Sequence, residues 1–447
     1  YNLHKYTIIK PYGIISTLRK GEFSMGKIKL AIIGTGLRGA YTYAPLIEKY
    51  KDKCEIVAFV ENKKGRRYLF LEKYPIDENM VFDNLNDFIA HDKLADAVII
   101  SHYDLLHYDT AQVLLVKGYD VLVETPASNS LDGLVHLKEF CVENKDRLFM
   151  VAYNNRYSNF YNKLKEITQN KDLGSLINIS YNVDVGYKTF VHNYVRGNWR
   201  ITSDTGAIML TNSCQDIDIM INLSGGKCKK VSCFSDLRAF NWDNFNTKMS
   251  QNCFRCGEEE SCPFSAKKLY LKENNFINNS IHIRPTKENL ESILKEGPYG
   301  KCVFYCDNDV ADNLTSIFKF DNNVTANFNI NAFTKESDKK IRLFFKNGEV
   351  EASYKDKEIK IKSFLKDKEE IIKINEEDPD EKMFLDFINR IETKNYDSCV
   401  SYVGEVIDSH VATFASEFAN VSETVVDVES FFNDAVEMTK QIEKMMF

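Results

Sequence analysis

The chain has 447 residues, 44% of them apolar and 28% charged, with a formal net charge of −7. That is material for two or three packed domains; the acidic balance argues against a nucleic-acid or anionic-membrane surface, and no apolar run reaches the ~18 residues of a membrane helix. Eleven cysteines in so long a chain read as thiols of a reducing cytoplasm rather than as a disulfide scaffold.

Residues 1–24 mix apolar and basic residues around Pro11 and Gly13. Their apolar runs are too short for a signal-peptide core, and Met25-Gly26-Lys27 reads as a natural start, so 1–24 is set apart as an extension. Residues 27–33 read as a strand running into Gly34-Thr35-Gly36-Leu37-Arg38-Gly39, with an amphipathic helix over 41–50. Gly34 permits the tight turn and Gly36 leaves room for a pyrophosphate. Gly39 lets the helix approach the sheet, and the helix N-terminus offers N–H groups to phosphate. A second strand, 55–60, ends in Glu61, 22 residues past Gly39. That is near the ~20-residue spacing of the carboxylate that binds an adenosine ribose. The series predicts a bound dinucleotide on Gly34, Gly36, Leu37, Arg38, Gly39 and Glu61, with NAD favoured over NADP. Arg66 and Arg67 could tolerate a 2′-phosphate but read as a solvated helix face.

Strands at 80–82, 95–101, 121–123 and 148–152 alternate with helices at 85–91, 108–117 and 131–143. Gly118 suits the end of the second helix. This βαβ series predicts a parallel sheet covered on both faces, a domain over 25–152. Ser101 and His107 follow the 95–101 strand at the end where such sheets bind ligands; His107 either meets the cofactor or packs locally.

From 153 to 447 the pattern becomes α+β. Strands are expected at 178–185 and 229–237. A hairpin of 316–320 and 324–333 turns around Asp321-Asn322-Asn323, and strands at 341–345, 349–354 and 358–363 continue a mainly antiparallel sheet. The stretch 366–380 reads as a solvated loop. Asp378-Pro379 caps a helix with Met383, Phe384, Phe387, Ile388 and Ile391 on one face, and helices at 403–418 and 428–446 close the chain. Cys253-x2-Cys256-x5-Cys262 offers either three thiolates for a structural zinc, with Cys302 or Cys306 as a fourth, or free thiols.

The glycine turn, the segment 99–107, Gly118 to Pro126, Asn155-Arg156-Tyr157 and the helix entry ending Asp216-Ile217-Asp218 together resemble the Gfo/Idh/MocA family of NAD(P)-dependent sugar oxidoreductases over roughly 25–445. The segments 195–199, 253–268 and 306–309 resemble one bacterial branch of it. The resemblance implies a Rossmann dinucleotide-binding domain, then an α/β domain with a large, mainly antiparallel open sheet. The nicotinamide would lie against that sheet, and a homo-oligomer would form through it. It places Glu124 and Pro126 on the cofactor, and Arg156, Arg196, Trp199, Asn212 and Asp218 on a small-molecule sugar. The loop bearing His192, Tyr194, Arg196 and Trp199 would close over that sugar. Arg196 offers forked donors and Trp199 a flat face, unless Trp199 anchors the loop instead.

Three departures from the family pattern carry weight. Thr125 stands where the family has the lysine of Glu-Lys-Pro, Gln215 where it has a histidine, and Asn212 where the branch often has lysine. These side chains orient a hydroxyl but do not titrate, whereas alcohol oxidation needs a proton acceptor. The expected catalytic set is therefore Thr125 and Gln215 with His192 and Tyr194 as the remaining titratable groups. Three readings follow: a sugar oxidoreductase of weak turnover, an NAD-dependent glycoside hydrolase of the same fold, and a non-catalytic NAD and sugar sensor.

Overall fold

The computed structural model describes residues 26–144, 146–272, 277–366, 369–396 and 399–446; the extension 1–24 lies outside the described residues. Six strands form the first sheet: β1 Ile28–Ile33, β2 Cys54–Val60, β3 Val81–Phe82, β4 Ala97–Ile100, β5 Asp120–Val123 and β6 Phe149–Val151. All neighbours are parallel, in the order β3-β2-β1-β4-β5-β6, which is the doubly wound dinucleotide-binding order. β1, β4 and β5 are almost wholly buried, as strands covered on both faces must be. The chain leaves β1 through a single wide turn, Gly39–Tyr43, before the short helix Ala44–Lys49.

The second sheet has nine strands: β7 Leu176–Asp184, β8 Cys228–Asp236, β9 Asn313–Phe320, β10 Thr325–Asn331, β11 Asp338–Phe345, β12 Gly348–Ser353, β13 Glu358–Ser363, β14 Glu370–Lys373 and β15 Val426–Asp427. Their order is β14-β13-β12-β11-β7-β10-β9-β8-β15. Only β7 and β10 run parallel; every other pair is antiparallel. One face is apolar, with Leu314, Phe318, Phe328, Ile330, Ile179 and Leu343 buried, and the alternate residues face outward, as period-two strands require. β14 falls within the stretch expected to be a loop.

Two features tie the halves together. The helix Pro379–Thr393 returns from the second sheet and buries Met383, Phe384, Phe387, Ile388 and Ile391 in one core with Leu30, Ile32 and Phe59 of the first. The segment between β8 and β9 is a long insertion with the helices Ala266–Tyr270, Asn278–Ile281 and Lys287–Glu296. Its Ile283 reaches the first domain, with Cδ1 3.1 Å from where a Cβ on Gly65 would stand.

Candidate cofactor and substrate site

The three glycines are required for different reasons. Gly34 has φ +92°, and a Cβ there would lie 2.7 Å from His102 Cα. A Cβ on Gly39 would meet Gly34 O at 2.1 Å. At Gly36 nothing in the protein is closer than Arg66 Nη1 at 3.7 Å. The turn is walled in except at Gly36, and that open flank fits a pyrophosphate. Ser101 Oγ donates to Gly34 O at 2.8 Å, so it shapes the turn. His107 is fully buried, with Nδ1 2.8 Å from Pro126 O and Nε2 3.3 Å from His102 O; local packing is its observed role.

Arg38 sits in the middle of a clamp. Its Nε donates to Glu124 at 2.6 Å, and its two terminal nitrogens donate to Asp380 at 2.8 and 2.7 Å. Tyr43 also donates to Glu124, and Asn154 donates to Asp380 at 2.9 Å. The clamp links the glycine turn, the Glu124–Pro126 segment and the helix Pro379–Thr393. Sequence reasoning missed Asp380, because no spacing rule connects residues 342 apart.

Glu61 does not present a free carboxylate. One oxygen accepts from Thr35 N and Thr35 Oγ1, both at 3.0 Å, and the other from Lys63 N at 2.9 Å. The residue is 5% exposed. It latches the glycine turn to the end of β2.

On the substrate side, Gln215 Nε2 donates to Thr125 Oγ1 at 3.4 Å. Thr125 follows β5 at the ligand-binding end of the parallel sheet. Gln215 and Asn212 share a face of the helix Ile208–Ser224, one turn apart. Tyr194 OH donates to Asn212 Oδ1 at 3.2 Å. Burial pushes the Tyr194 phenol well above its ordinary range, so it is a neutral O–H donor at neutral pH. Thr125, Gln215, Asn212 and Tyr194 thus form one polar cluster where the two domains meet. Beside it, Trp199 Nε1 donates to Asp104 at 2.7 Å. That bond anchors the loop, the second of the two roles considered for Trp199.

Other expected site residues are committed elsewhere. His192 is buried, its Nδ1 3.2 Å from Tyr270 OH and Nε2 3.0 Å from Ser280 Oγ, with its ring stacked on Tyr299. Burial, then Arg196, depresses its pKa to about 4; it is a packing imidazole. Arg196, 1% exposed, donates to Lys301 O at 2.7 Å and Phe264 O at 2.9 Å and fixes the insertion. Arg156 and Asp218 form a two-bonded pair at 2.7 and 2.6 Å, which takes up the forked face of the guanidinium.

The zinc expectation gains no support. Cys253, Cys256, Cys262 and Cys302 share the wall of a small cavity of about 20 Å³. Cys253 Sγ accepts N–H from Arg196 at 3.5 Å and from Ala266 at 3.4 Å. Among the described residues no group of three or more His, Cys, Asp and Glu is arranged to hold a metal ion.

Comparison with known proteins agrees with this geometry. Residues 28–153 match the model of the oxidoreductase family with an NAD-binding Rossmann fold, Gfo/Idh/MocA. An uncharacterized protein of Saccharomyces cerevisiae is 22% identical over 204 residues, 45% of this chain and 56% of that protein. The scyllo-inositol 2-dehydrogenase (NADP(+)) IolW of Bacillus subtilis is 25% identical over 168 residues, 37% of this chain and 45% of that enzyme. The chain spans about half the length of these curated relatives. Among solved structures, an oxidoreductase from Thermotoga maritima superposes with a TM-score of 0.66 at 17% identity, over 91% of this chain and all of that one. The WlbA dehydrogenase of Chromobacterium violaceum, solved with NADH and UDP-GlcNAcA, gives 0.63 at 15% identity, over 92% and 99%. Residues 28–153 thus match the NAD-binding Rossmann domain of the Gfo/Idh/MocA oxidoreductase family, and the chain as a whole shares the fold of these solved oxidoreductases.

Proposed function

We propose that the chain is an NAD(P)-dependent oxidoreductase acting on a hydroxyl, or the matching carbonyl, of a sugar or sugar derivative. The observation that carries the reading is the Gln215–Thr125 contact. It brings a polar face of the second domain onto the ligand end of the dinucleotide-binding sheet. A nicotinamide cofactor would be held along Gly36, with Arg38 and Glu124 ordering the turn, and would supply or accept the hydride. The names of the relatives support the substrate class: inositol and UDP-sugar dehydrogenases stand among them. Both cofactor forms are represented, NADP in the Bacillus relative and NADH in the WlbA structure.

In this cluster Thr125, Gln215 and Asn212 orient the reacting oxygen, and Tyr194 is the group that hands it a proton. A phenol held neutral suits carbonyl reduction better than alcohol oxidation, which needs a base. The test is reduction of a panel of keto-sugars by NADPH and NADH, followed at the nicotinamide absorbance. Tyr194→Phe should lower the rate about 10²-fold or more, the worth of one positioned acid, while cofactor affinity stays unchanged. Thr125→Lys with Gln215→His should raise sugar oxidation. Turnover unaffected by Tyr194→Phe would remove the cluster as the reaction site. One observation favours a second reading, a cofactor and sugar sensor: three of the cluster's four side chains do not titrate. Tight binding of cofactor and sugar, with no hydride exchange even after Thr125→Lys and Gln215→His, would select it.

A further inference from the structure

Most carboxylates around the domain junction are claimed. Glu124 accepts from Arg38 and Tyr43, Asp380 from Arg38 and Asn154, and Asp218 from Arg156. Asp216 pairs with Lys339 at 2.6 Å and accepts from Tyr181 at 2.8 Å. Asp104 is different. It is 7% exposed and, among the described residues, pairs with no lysine or arginine; the side chain that donates to it is Trp199, whose Nε1 reaches Oδ2. A carboxylate kept from water without a cation costs stability, and at the ligand-binding end of a sheet it points to a use for the charge. Asp104 opens the short turn Asp104–Leu106 just past the end of β4. Glu124 N donates to Ile100 O at 2.9 Å, so β4 and β5 leave the sheet side by side and carry Asp104 and Thr125 to the same end. Trp199 lies on the loop that bears Tyr194, and after burial the charge of Asp104 is the electrostatic influence that most raises the Tyr194 phenol. Burial raises the Asp104 pKa above its ordinary value, against His107 and the Trp199 bond, and Glu124 adds to the rise. Asp204 and Arg200, on and before the helix Thr202–Thr205, act on the neighbouring Tyr103.

We propose that the Asp104 carboxylate is the terminal proton acceptor of the site, the base that Thr125 and Gln215 cannot be, and that Tyr194 passes the proton between it and the reacting oxygen. The inference rests on the proposed oxidoreductase reading and makes the site competent for alcohol oxidation as well as carbonyl reduction. In oxidation the alcohol O–H proton moves to the Tyr194 oxygen as the phenol proton moves to Asp104. The electron pair of the adjoining C–H bond leaves as hydride to the oxidised nicotinamide, and the C–O bond becomes C=O. Asp104 ends protonated and gives that proton to water; in reduction each transfer reverses. A proton acceptor works best when its pKa lies near the operating pH, and burial moves Asp104 in that direction. Asp104 stands one transfer from the substrate and acts through Tyr194, so it is a positioning residue for the proton. Trp199 holds Oδ2, which leaves Oδ1 to titrate.

The experiment uses the full chain carrying Trp242→Phe, which leaves Trp199 as its one tryptophan, and adds Asp104→Asn or Asp104→Glu to it. Asparagine keeps an oxygen for Trp199 Nε1 and removes the charge, so the loop stays anchored. Without cofactor, Trp199 emission in the parent should show one step between about pH 4 and 8, with its midpoint above the ~3.9 of a free aspartate. Asp104→Asn should show no step. With NAD⁺ or NADP⁺, kcat for sugar oxidation in the parent should fall on the acid side together with that step. Asp104→Asn should lower kcat about 10²-fold or more and abolish the acid limb, with KM changed less than about twofold. Asp104→Glu should restore the limb. A flat emission in the parent, or an oxidation rate and acid limb that survive Asp104→Asn, overturns the assignment and leaves Asp104 as an anchor for Trp199. A parent that binds cofactor but turns over no sugar in either direction overturns the oxidoreductase reading, and the proton path with it, whatever the emission shows.

Discussion

Arg156 and Asp218 illustrate what a motif reveals at a single residue and what it hides. Both match positions where the family resemblance implies sugar contacts, yet each has its charge taken by the other. Asp218 is 3% exposed and Arg156 also donates to Val400 O and Glu405 O. Burial raises the Asp218 pKa while Arg156 opposes it, as expected of a pair removed from water. Asp218→Asn should therefore cost about 3–5 kcal/mol of stability, because it leaves a buried guanidinium without its counter-charge; chemical denaturation measures it. A loss under 1 kcal/mol would return Asp218 to the candidate sugar ligands. Glu61 and Arg196 teach the same lesson. Spacing locates a carboxylate at the end of β2 or an arginine on a loop. It does not say which donors and acceptors claim them, because partners such as Thr35 for Glu61 and Lys301 for Arg196 lie 26 and 105 positions away. Thr125, Gln215, Asn212 and Tyr194 were named separately, through the family resemblance, and with His192 among them; what joins the four is their contacts in the fold, which no spacing in the sequence announces.

Among the elements, those that bury a face were readable and those that merely extend a sheet were not. The hairpin of β9 and β10 was expected because Ala326, Phe328 and Ile330 alternate with polar residues, and these are the buried positions. β14 has no buried residue; it exists through its pairing with β13, so no apolar rhythm marks it. The helix Val403–Ser422 is expected on the same grounds as the hairpin, but it carries an anomaly. Glu417 has a buried carboxylate oxygen without a hydrogen-bond partner, and burial alone pushes its pKa to about 8. An acid whose folded pKa lies above its unfolded value, ~4.3, is bound by more protons when folded. Stability is then highest below the unfolded pKa and falls as pH rises toward 8. Glu417→Gln removes the charge and should remove this slope. It should raise stability on the order of 1–3 kcal/mol at pH 8 and change it little at pH 4.5. Thermal unfolding at the two pH values is the measurement, and an unchanged difference between them would show that the carboxylate is hydrated.

At the level of the whole molecule, the two sheets are separate in sequence but not in energy. The helix Pro379–Thr393 inserts five apolar side chains into the core of the first sheet, and its Asp380 completes the Arg38 clamp. Residues 401–402 then continue along the β6 edge, with Val151 N donating to Ser401 O at 2.9 Å. His410 Nε2 accepts from Ala127 N at 3.0 Å, and Tyr153 OH lies 2.8 Å from Ser409 Oγ. Removing the second domain would strip the first of one covering face. Unfolding should therefore be a single transition, despite a length at which separate domains commonly melt apart. Far-UV circular dichroism reports both sheets, and in a Trp242→Phe background, which removes the second tryptophan, Trp199, tied to Asp104 across the domains, reports their junction. The two signals should superimpose on heating. Phe387→Ala opens a cavity in the shared core and should cost about 3–5 kcal/mol, moving both signals together. A cofactor that binds only the folded state should raise the same midpoint in proportion to the logarithm of its concentration. If Phe387→Ala or added NADP⁺ shifted the dichroism while the tryptophan signal stayed in place, the two domains would be independent folding units, and the clamp between Arg38 and Asp380 would be a contact without consequence for stability.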